Sequence, residues 1–189
     1  MKINEIFTSI QGEGYYTGTP ATFVRTSGCN LHCYFCDTRH ESGREMSPEE
    51  IVREVRKAAP KHIVITGGEP TLQPDLEQLV DLLHADGYFV QIETNGTRPI
   101  SCPIDWVTCS PKTLHDIAVT QPHELKVVYQ GQDMKPYETQ FRAQVYSLQP
   151  CDTGNEAKNK DILEATIQYV LSHPLWRLSL QTHKLIGVR

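Results

Sequence analysis

The sequence predicts an α/β fold on a largely parallel sheet, curved as an open, partial barrel of about six strands. Segments of β-branched and aromatic residues alternate with segments of helical period, the pattern of repeated βα units. Distinct helix starts and stops punctuate that alternation. The 189 residues also fall short of the ~250 that a closed eight-stranded barrel takes.

Strands are expected near Thr22 to Arg25, Ile63 to Thr66, Phe89 to Glu93, Trp106 to Cys109, Leu125 to Tyr129, Val145 to Leu148 and Leu178 to Gln181. Ser47-Pro48-Glu49-Glu50 is a capping box with proline at the first helical position, and Ile51, Val52 and Val55 form an apolar stripe behind it. Gln73-Pro74 opens a second helix with Leu76, Leu79, Val80 and Leu83 on one face and Gly87 as its stop. A third runs from about Asp161 to Leu171 and ends before His173-Pro174, because a residue preceding proline avoids the α region. No repeat or low-complexity linker divides the chain, so residues 1–189 are expected to form one domain.

A net charge of -5 argues against gripping nucleic acid directly, which usually requires a basic face. The opening Met1-Lys2-Ile3-Asn4-Glu5 lacks the apolar run of a signal peptide, and no stretch approaches the ~20 apolar residues of a membrane span. A cytosolic protein with no membrane partner is expected. In a reducing compartment, six cysteines point to metal ligation before disulfides. Cys102 and Cys109 read as a pair, a second metal site or two ordinary thiols.

Three of the cysteines fall within eight residues, as Cys29-Asn30-Leu31-His32-Cys33-Tyr34-Phe35-Cys36. Three thiolates suit three corners of an iron-sulfur cubane and leave one iron open for chemistry. The same run with His32 or His40 would make a closed Cys3His zinc site. Downstream, Thr66-Gly67-Gly68-Glu69-Pro70 follows a predicted strand, at the end where parallel sheets place their ligands. Thr94-Asn95-Gly96, Ser110-Pro111-Lys112 and Gln149-Pro150-Cys151-Asp152 recur at the ends of three further strands. Each alone reads as a turn.

The CxxxCxxC spacing with an aromatic before its last cysteine resembles the radical S-adenosylmethionine (SAM) enzymes. The resemblance implies a compact variant of the open (β/α)6-type barrel. It also implies a [4Fe-4S] cluster on Cys29, Cys33 and Cys36, whose vacant iron chelates SAM for cleavage to a 5'-deoxyadenosyl radical. Gly68 and Glu69 match the motif that holds the amino group of SAM. Phe35, Cys36 and Asp37 match its adenine-side segment, and Thr94, Asn95, Ser110, Pro111, Lys112, Gln149, Pro150, Cys151 and Asp152 line the same rim.

Glu5-Ile6-Phe7, Ser9-Ile10-Gln11-Gly12-Glu13-Gly14, Phe23-Val24-Arg25-Thr26-Ser27-Gly28-Cys29, Cys36-Asp37-Thr38 and the closing Gln181-Thr182-His183-Lys184 and Gly187 narrow the likeness. Together they resemble the 7-carboxy-7-deazaguanine synthase family of the queuosine and deazapurine pathway. That likeness implies conversion of 6-carboxy-5,6,7,8-tetrahydropterin to 7-carboxy-7-deazaguanine with loss of ammonia and regeneration of SAM. Ile10, Gln11, Gly12 and Glu13 would then hold the pterin edge, and Arg25 would pair with its carboxylate, a task that suits the guanidinium fork. Thr66 and His183 are further substrate-side candidates, and the main-chain carboxylate of Arg189 would face the pterin while its side chain points outward. Thr38 would bind Mg²⁺, a hard cation that keeps several waters and needs few protein oxygens. A flavodoxin- or ferredoxin-like electron donor and a homodimer are implied as well. The short 39–47 connection departs from larger relatives. Two other readings compete: a glycyl-radical activating enzyme, which leaves the Ser9 to Gly14 segment without a role, and a non-catalytic zinc module.

Overall fold

Nine strands form one sheet in the computed structural model, which describes residues 1–38 and 40–189. The elements are β1 (Lys2–Ile10), β2 (Pro20–Thr26), β3 (Arg44–Glu45), α1 (Pro48–Val55), β4 (His62–Gly67), α2 (Leu76–Ala85), β5 (Phe89–Thr94), β6 (Trp106–Cys109), β7 (Glu124–Tyr129), α3 (Lys135–Gln140), β8 (Val145–Pro150), α4 (Glu156–Ser172), β9 (Trp176–Leu178) and α5 (Thr182–Ile186). Their order across the sheet is β3-β1-β2-β4-β5-β6-β7-β8-β9. From β2 to β9 every pairing is parallel, while β1 lies antiparallel to both β2 and β3. The two outer strands do not pair, so the barrel stays open. The connections β5 to β6 and β6 to β7 carry no helix, which accounts for a barrel in so short a chain.

Alternation along the strands separates two environments. In β5, Val90 and Ile92 face a buried apolar cluster shared with Ile51 and Val55 of α1 and Leu79 and Leu83 of α2. In β7, Leu125, Val127 and Tyr129 face a second cluster with Phe141, Leu148 and Trp176. Each fully buried aliphatic side chain contributes about 1.5–3 kcal/mol by leaving water. The alternate residues Gln91, Glu93, Glu124 and Lys126 meet instead in one polar network. Period two therefore sorts apolar residues toward the helices and polar ones toward the opposite face.

The elements differ from expectation where long-range packing decides. The capping box forms: Ser47 Oγ accepts from the Glu50 amide and the Glu50 carboxylate accepts from the Ser47 amide. Gln73-Pro74 does not open α2, which begins at Leu76. The Gln73 side chain instead accepts from the Lys2 amide and donates to the Ser27 carbonyl, joining β1 to the turn after β2. Helix α4 starts at Glu156, earlier than expected, because the Asn155 side chain caps it by accepting from the Lys158 amide. Strand β9 covers Trp176–Leu178 rather than 178–181, since buried Trp176 packs edge-on against Tyr146. The antiparallel β1 and the short α3 and α5 stood outside the expected elements.

Candidate active site

Two cavities adjoin inside the open barrel. The first is lined by Cys29, Cys33 and Cys36 together with the strand-end residues Gly68, Thr94, Asn95, Ser110, Lys112, Gln149, Pro150, Cys151 and Asp152, and by Phe35. The second is lined by Ile10, Gln11, Gly12, Phe7, Phe23, Arg25, Val64, His183 and Arg189. Glu13, Asp37, Thr38, Thr66, Glu93 and Lys126 border both. Residues separated by most of the chain thus meet at one shared wall.

The cysteine cavity is built from backbone. The Glu69 amide donates to the Gly28 carbonyl at 2.8 Å, and the Gly68 amide to the Thr26 carbonyl at 3.1 Å. A Cβ on Gly67 would overlap Thr26, and one on Gly68 would overlap the Gly28 carbonyl. These glycines therefore bring the end of β4 against the segment that leads into Cys29, and this contact sets where the cysteine loop begins. Glu69 lies off the cavity wall. Its buried carboxylate accepts from Thr71 N (3.1 Å), Thr71 Oγ1 (2.6 Å), Thr94 Oγ1 (2.7 Å) and Asn95 N (2.7 Å). It fastens the Thr94-Asn95 turn to the Gly67-Gly68 turn. Pro111 is likewise buried behind Ser110 and Lys112, away from the cavity.

The three cysteines are free thiols on the first cavity. Among the described residues, no three His, Cys, Asp or Glu side chains converge to hold a single ion. What the structure shows is that all three thiols open onto one cavity, as the three ligands of a cluster do when each thiolate takes a different iron. Cys102 packs in the apolar core beside α2, and Cys109 is fully buried under Gly96, where burial pushes its thiol up to about 12. The two are separate, ordinary thiols.

The second cavity has an aromatic floor. Phe7 and Phe23 stack with centroids 5.0 Å apart and planes 8° from parallel. The guanidinium of Arg25 sits 5.5 Å from the Phe7 centroid. Its fork is partly engaged, since Nε donates to Glu5 at 2.9 Å and Nη1 to Thr38 Oγ1 at 3.1 Å. Thr38 accepts in that bond, so its hydroxyl oxygen keeps a second lone pair. The Arg189 side chain is mostly exposed but folds back over the cavity mouth: its guanidinium pairs with Glu5 and lies 4.7 Å from the Phe7 centroid, while its main-chain oxygen accepts from Ser9 Oγ at 2.7 Å. The Gly12 carbonyl accepts from both Thr182 N and Thr182 Oγ1, and the Gln11 main chain pairs with Gly18 and Thr19. Part of this segment's backbone is thus engaged by the fold. The Gln11 side-chain amide lines the cavity, its oxygen accepting from the Glu13 amide at 3.3 Å and its nitrogen making a long 3.4 Å contact to Glu93.

Between the cavities lies a cluster absent from the sequence reading except for Glu13. Lys126 is buried and donates to Glu13 at 2.7 Å and Glu93 at 3.0 Å. Burial opposes the Glu13 charge, but Lys126, helped by Gln181, holds the carboxyl down at about 2. Burial pushes Glu93 up and Lys126 only partly offsets it, because Glu124 and Glu13 add like charge. Burial also opposes the Lys126 charge, but the three carboxylates outweigh it and hold the ammonium above its ordinary value. Lys112 donates to Ser110 Oγ at 2.6 Å, and desolvation of its ammonium, with the Lys126 charge, lowers its pKa. The signal for Lys126 was present in sequence: a lysine inside Glu124–Tyr129, alternating with Leu125 and Val127, points opposite to the apolar face.

Residues 23–129 match the sequence model of the Radical SAM superfamily. A 7-carboxy-7-deazaguanine synthase from Bacteroides thetaiotaomicron is 54% identical over 188 residues, covering 100% of this chain and 98% of that one. The chain belongs to the 7-carboxy-7-deazaguanine synthase family of radical SAM enzymes. A second family member, from Haemophilus influenzae, is 38% identical over 98% of this chain and 93% of its own. The crystal structure of QueE from Escherichia coli superimposes with a TM-score of 0.76 at 30% identity, covering 95% of this chain and 92% of that one. Membership in the radical SAM superfamily implies a [4Fe-4S] cluster and SAM. Arg39, within the short 39–47 connection, lies outside the described residues; β3 occupies Arg44–Glu45 of that connection and pairs with β1.

Proposed function

We propose that residues 1–189 act as a single radical SAM domain that converts 6-carboxy-5,6,7,8-tetrahydropterin to 7-carboxy-7-deazaguanine and ammonia. The observation that carries this reading is the junction of the two cavities across one wall of Glu13, Asp37, Thr38, Thr66, Glu93 and Lys126. Full-length similarity to family members supports it over a glycyl-radical activating enzyme.

In this reading Cys29, Cys33 and Cys36 hold the cluster. SAM lies against Phe35, Gly68, Thr94, Asn95, Ser110, Lys112 and the Gln149 to Asp152 turn. When bound, the cluster and SAM supply a carbon-centred radical. The chain's own residues then set what that radical meets. The Phe7 and Phe23 pair offers a flat apolar floor for a bicyclic ring. The free part of the Arg25 fork takes the substrate carboxylate, as charge-assisted pairing favours. Gln11 and His183 take ring-edge polar groups, and Ile10 closes the apolar side.

Thr38 contributes one neutral oxygen at the junction, and we assign it to Mg²⁺ with the remaining shell from water and substrate. Loss of ammonia demands removal of a carbon-bound proton and protonation of the departing amine. Glu93, whose carboxyl is held up by burial, lies on the shared wall where such a proton can be held. We further assign a flavodoxin- or ferredoxin-like reductant, a cytoplasmic location and a homodimer. No helix among the described residues is long and apolar enough to cross a membrane.

The test is anaerobic incubation of cluster-loaded, reduced protein with SAM and carboxytetrahydropterin. The expected result is 7-carboxy-7-deazaguanine and ammonia in equal amounts. Unchanged pterin, with the cluster intact and SAM bound, would overturn the assignment.

A further inference from the structure

Helix α5 lines the second cavity through His183 and Lys184, Gln181 just before it lines the first, and Lys184 ties together segments that line both. Lys184 Nζ lies 3.1 Å from Asp37 Oδ2 and 2.9 Å from Asp152 Oδ2, and it donates to Gln181 Oε1 at 2.9 Å. An ammonium has three donors, and these three acceptors account for them. Asp37 stands between Cys36 and Thr38 in the cysteine loop, and Asp152 follows β8 on the first cavity. Asp152 is preset by its own surroundings, because Oδ1 accepts from the Gly154 amide and from Asn159 Nδ2. Asp37 has no such local support: its described side-chain partners are Gln181 and Lys184, both carried by the closing segment of the chain.

The same segment grips the second cavity. Thr182 donates twice to the Gly12 carbonyl, and a Cβ on Gly12 would overlap the His183 ring. Gln181 Nε2 donates to Glu13 at 2.9 Å and to Asp37 at 3.1 Å. Movement of the Asp37 loop therefore pulls on α5, and α5 cannot shift without moving His183 against Gly12. Lys184 also separates two carboxylates that would otherwise repel across the first cavity.

We propose that Lys184 is a positioning residue through which occupancy of the cysteine cavity and of the pterin cavity reinforce each other. The proposal rests on the function assigned above. A ligand that orders the Asp37 and Asp152 segments also seats α5, and so seats His183. By reciprocity, a ligand against His183 and Gly12 favours the arrangement that holds SAM. The ion pairs are about half exposed, so the coupling is modest, about fivefold in affinity.

Equilibrium dialysis of SAM against oxidised, cluster-loaded protein, with and without carboxytetrahydropterin, measures that coupling without turnover. Wild-type protein is expected to bind SAM about fivefold more tightly when the pterin is present. In Lys184→Met the ratio should fall to about one, with iron and sulfide content unchanged, and Lys184→Arg should restore most of it. Should Lys184→Met fail to fold, salt dependence in the wild type serves instead. Raising ionic strength from about 0.1 M to about 0.5 M should lower the ratio, because partly exposed pairs are screened. An undiminished ratio in Lys184→Met, a salt-independent ratio, or a ratio of one in the wild type would overturn the proposal. A wild type that makes 7-carboxy-7-deazaguanine yet shows no coupling would refute only this inference, whereas a wild type that makes none would refute the function.

Discussion

The two cavities are built in opposite ways. The cysteine cavity takes its shape from turns at the ends of successive parallel strands, each a short contiguous motif held by main-chain contacts such as Gly68 against Thr26 and Gly28. The second cavity is assembled from β1, β2 and the far end of the chain, with side chains that satisfy one another: Glu5 with Arg25 and Arg189, and Gln181 with Glu13. A site made of local turns tolerates change elsewhere in the chain. A site made of long-range pairs does not, because every partner removed leaves another unsatisfied.

Cys36→Ala should sharpen the contrast most strongly. It is expected to abolish cluster absorbance and all activity, while Cys102→Ala, in the outer core, retains both. Full cluster loading in Cys36→Ala would break the assignment. Next in size is Lys126→Met, which strands Glu13 and Glu93 at the junction. Removing one partner of a buried charge cluster costs about 3–5 kcal/mol, readable as a lowered denaturant midpoint. A midpoint equal to wild type would show that the junction is not a paired cluster.

The acid limb comes third. Because Glu13 is held down at about 2 from an ordinary 4.5, its stabilisation is present above 4.5 and is lost as pH falls toward 2. The loss is up to about 3 kcal/mol. Glu13→Gln should flatten unfolding free energy over that window relative to wild type; parallel curves would contradict the pairing. Glu93 works in the opposite sense, since a raised carboxyl contributes stability at low pH that is lost as pH rises through its folded value.

Smaller still is Thr38→Ala, expected to blunt the stimulation of turnover by Mg²⁺ with cluster content and SAM binding nearly intact. An unaltered Mg²⁺ response would remove Thr38 from the ion. The smallest effect belongs to Arg189→Ala, whose side chain is mostly exposed. A rise in pterin KM of about twofold to fivefold is expected at constant kcat, as for a surface ion pair. No change in KM would make Arg189 a bystander at the mouth.

This division also explains what could be read from the amino acids alone. Strands β4 to β8 announce themselves through β-branched runs, and the turns after them carry glycine, asparagine and proline signals, so most of the cysteine cavity was legible. Antiparallel β1 was not, because Lys2–Ile10 mixes polar and apolar residues and is a strand by its pairing with β2 and β3. The turn-fastening contacts of Glu69 to Thr94 and Asn95 were not legible, because a motif states which residues are needed and not which neighbouring turn their side chains hold. Phe7, Phe23, Val64 and Lys126 went unassigned in the second cavity because each reads as an ordinary strand residue until the sheet curves. Arg189 keeps a mostly exposed side chain, as expected, but Glu5 and the Phe7 ring draw its guanidinium back over the cavity mouth, a contact that no local sequence signal states.

The central claim is that the two cavities open to each other beside Glu13 and Lys126, so that SAM held in one would be in direct contact with the pterin held in the other. The most direct measurement uses pterin carrying deuterium at C6, with mass analysis of SAM recovered after turnover. The account predicts deuterium in the recovered SAM alongside 7-carboxy-7-deazaguanine. Product formed with deuterium-free SAM would contradict it.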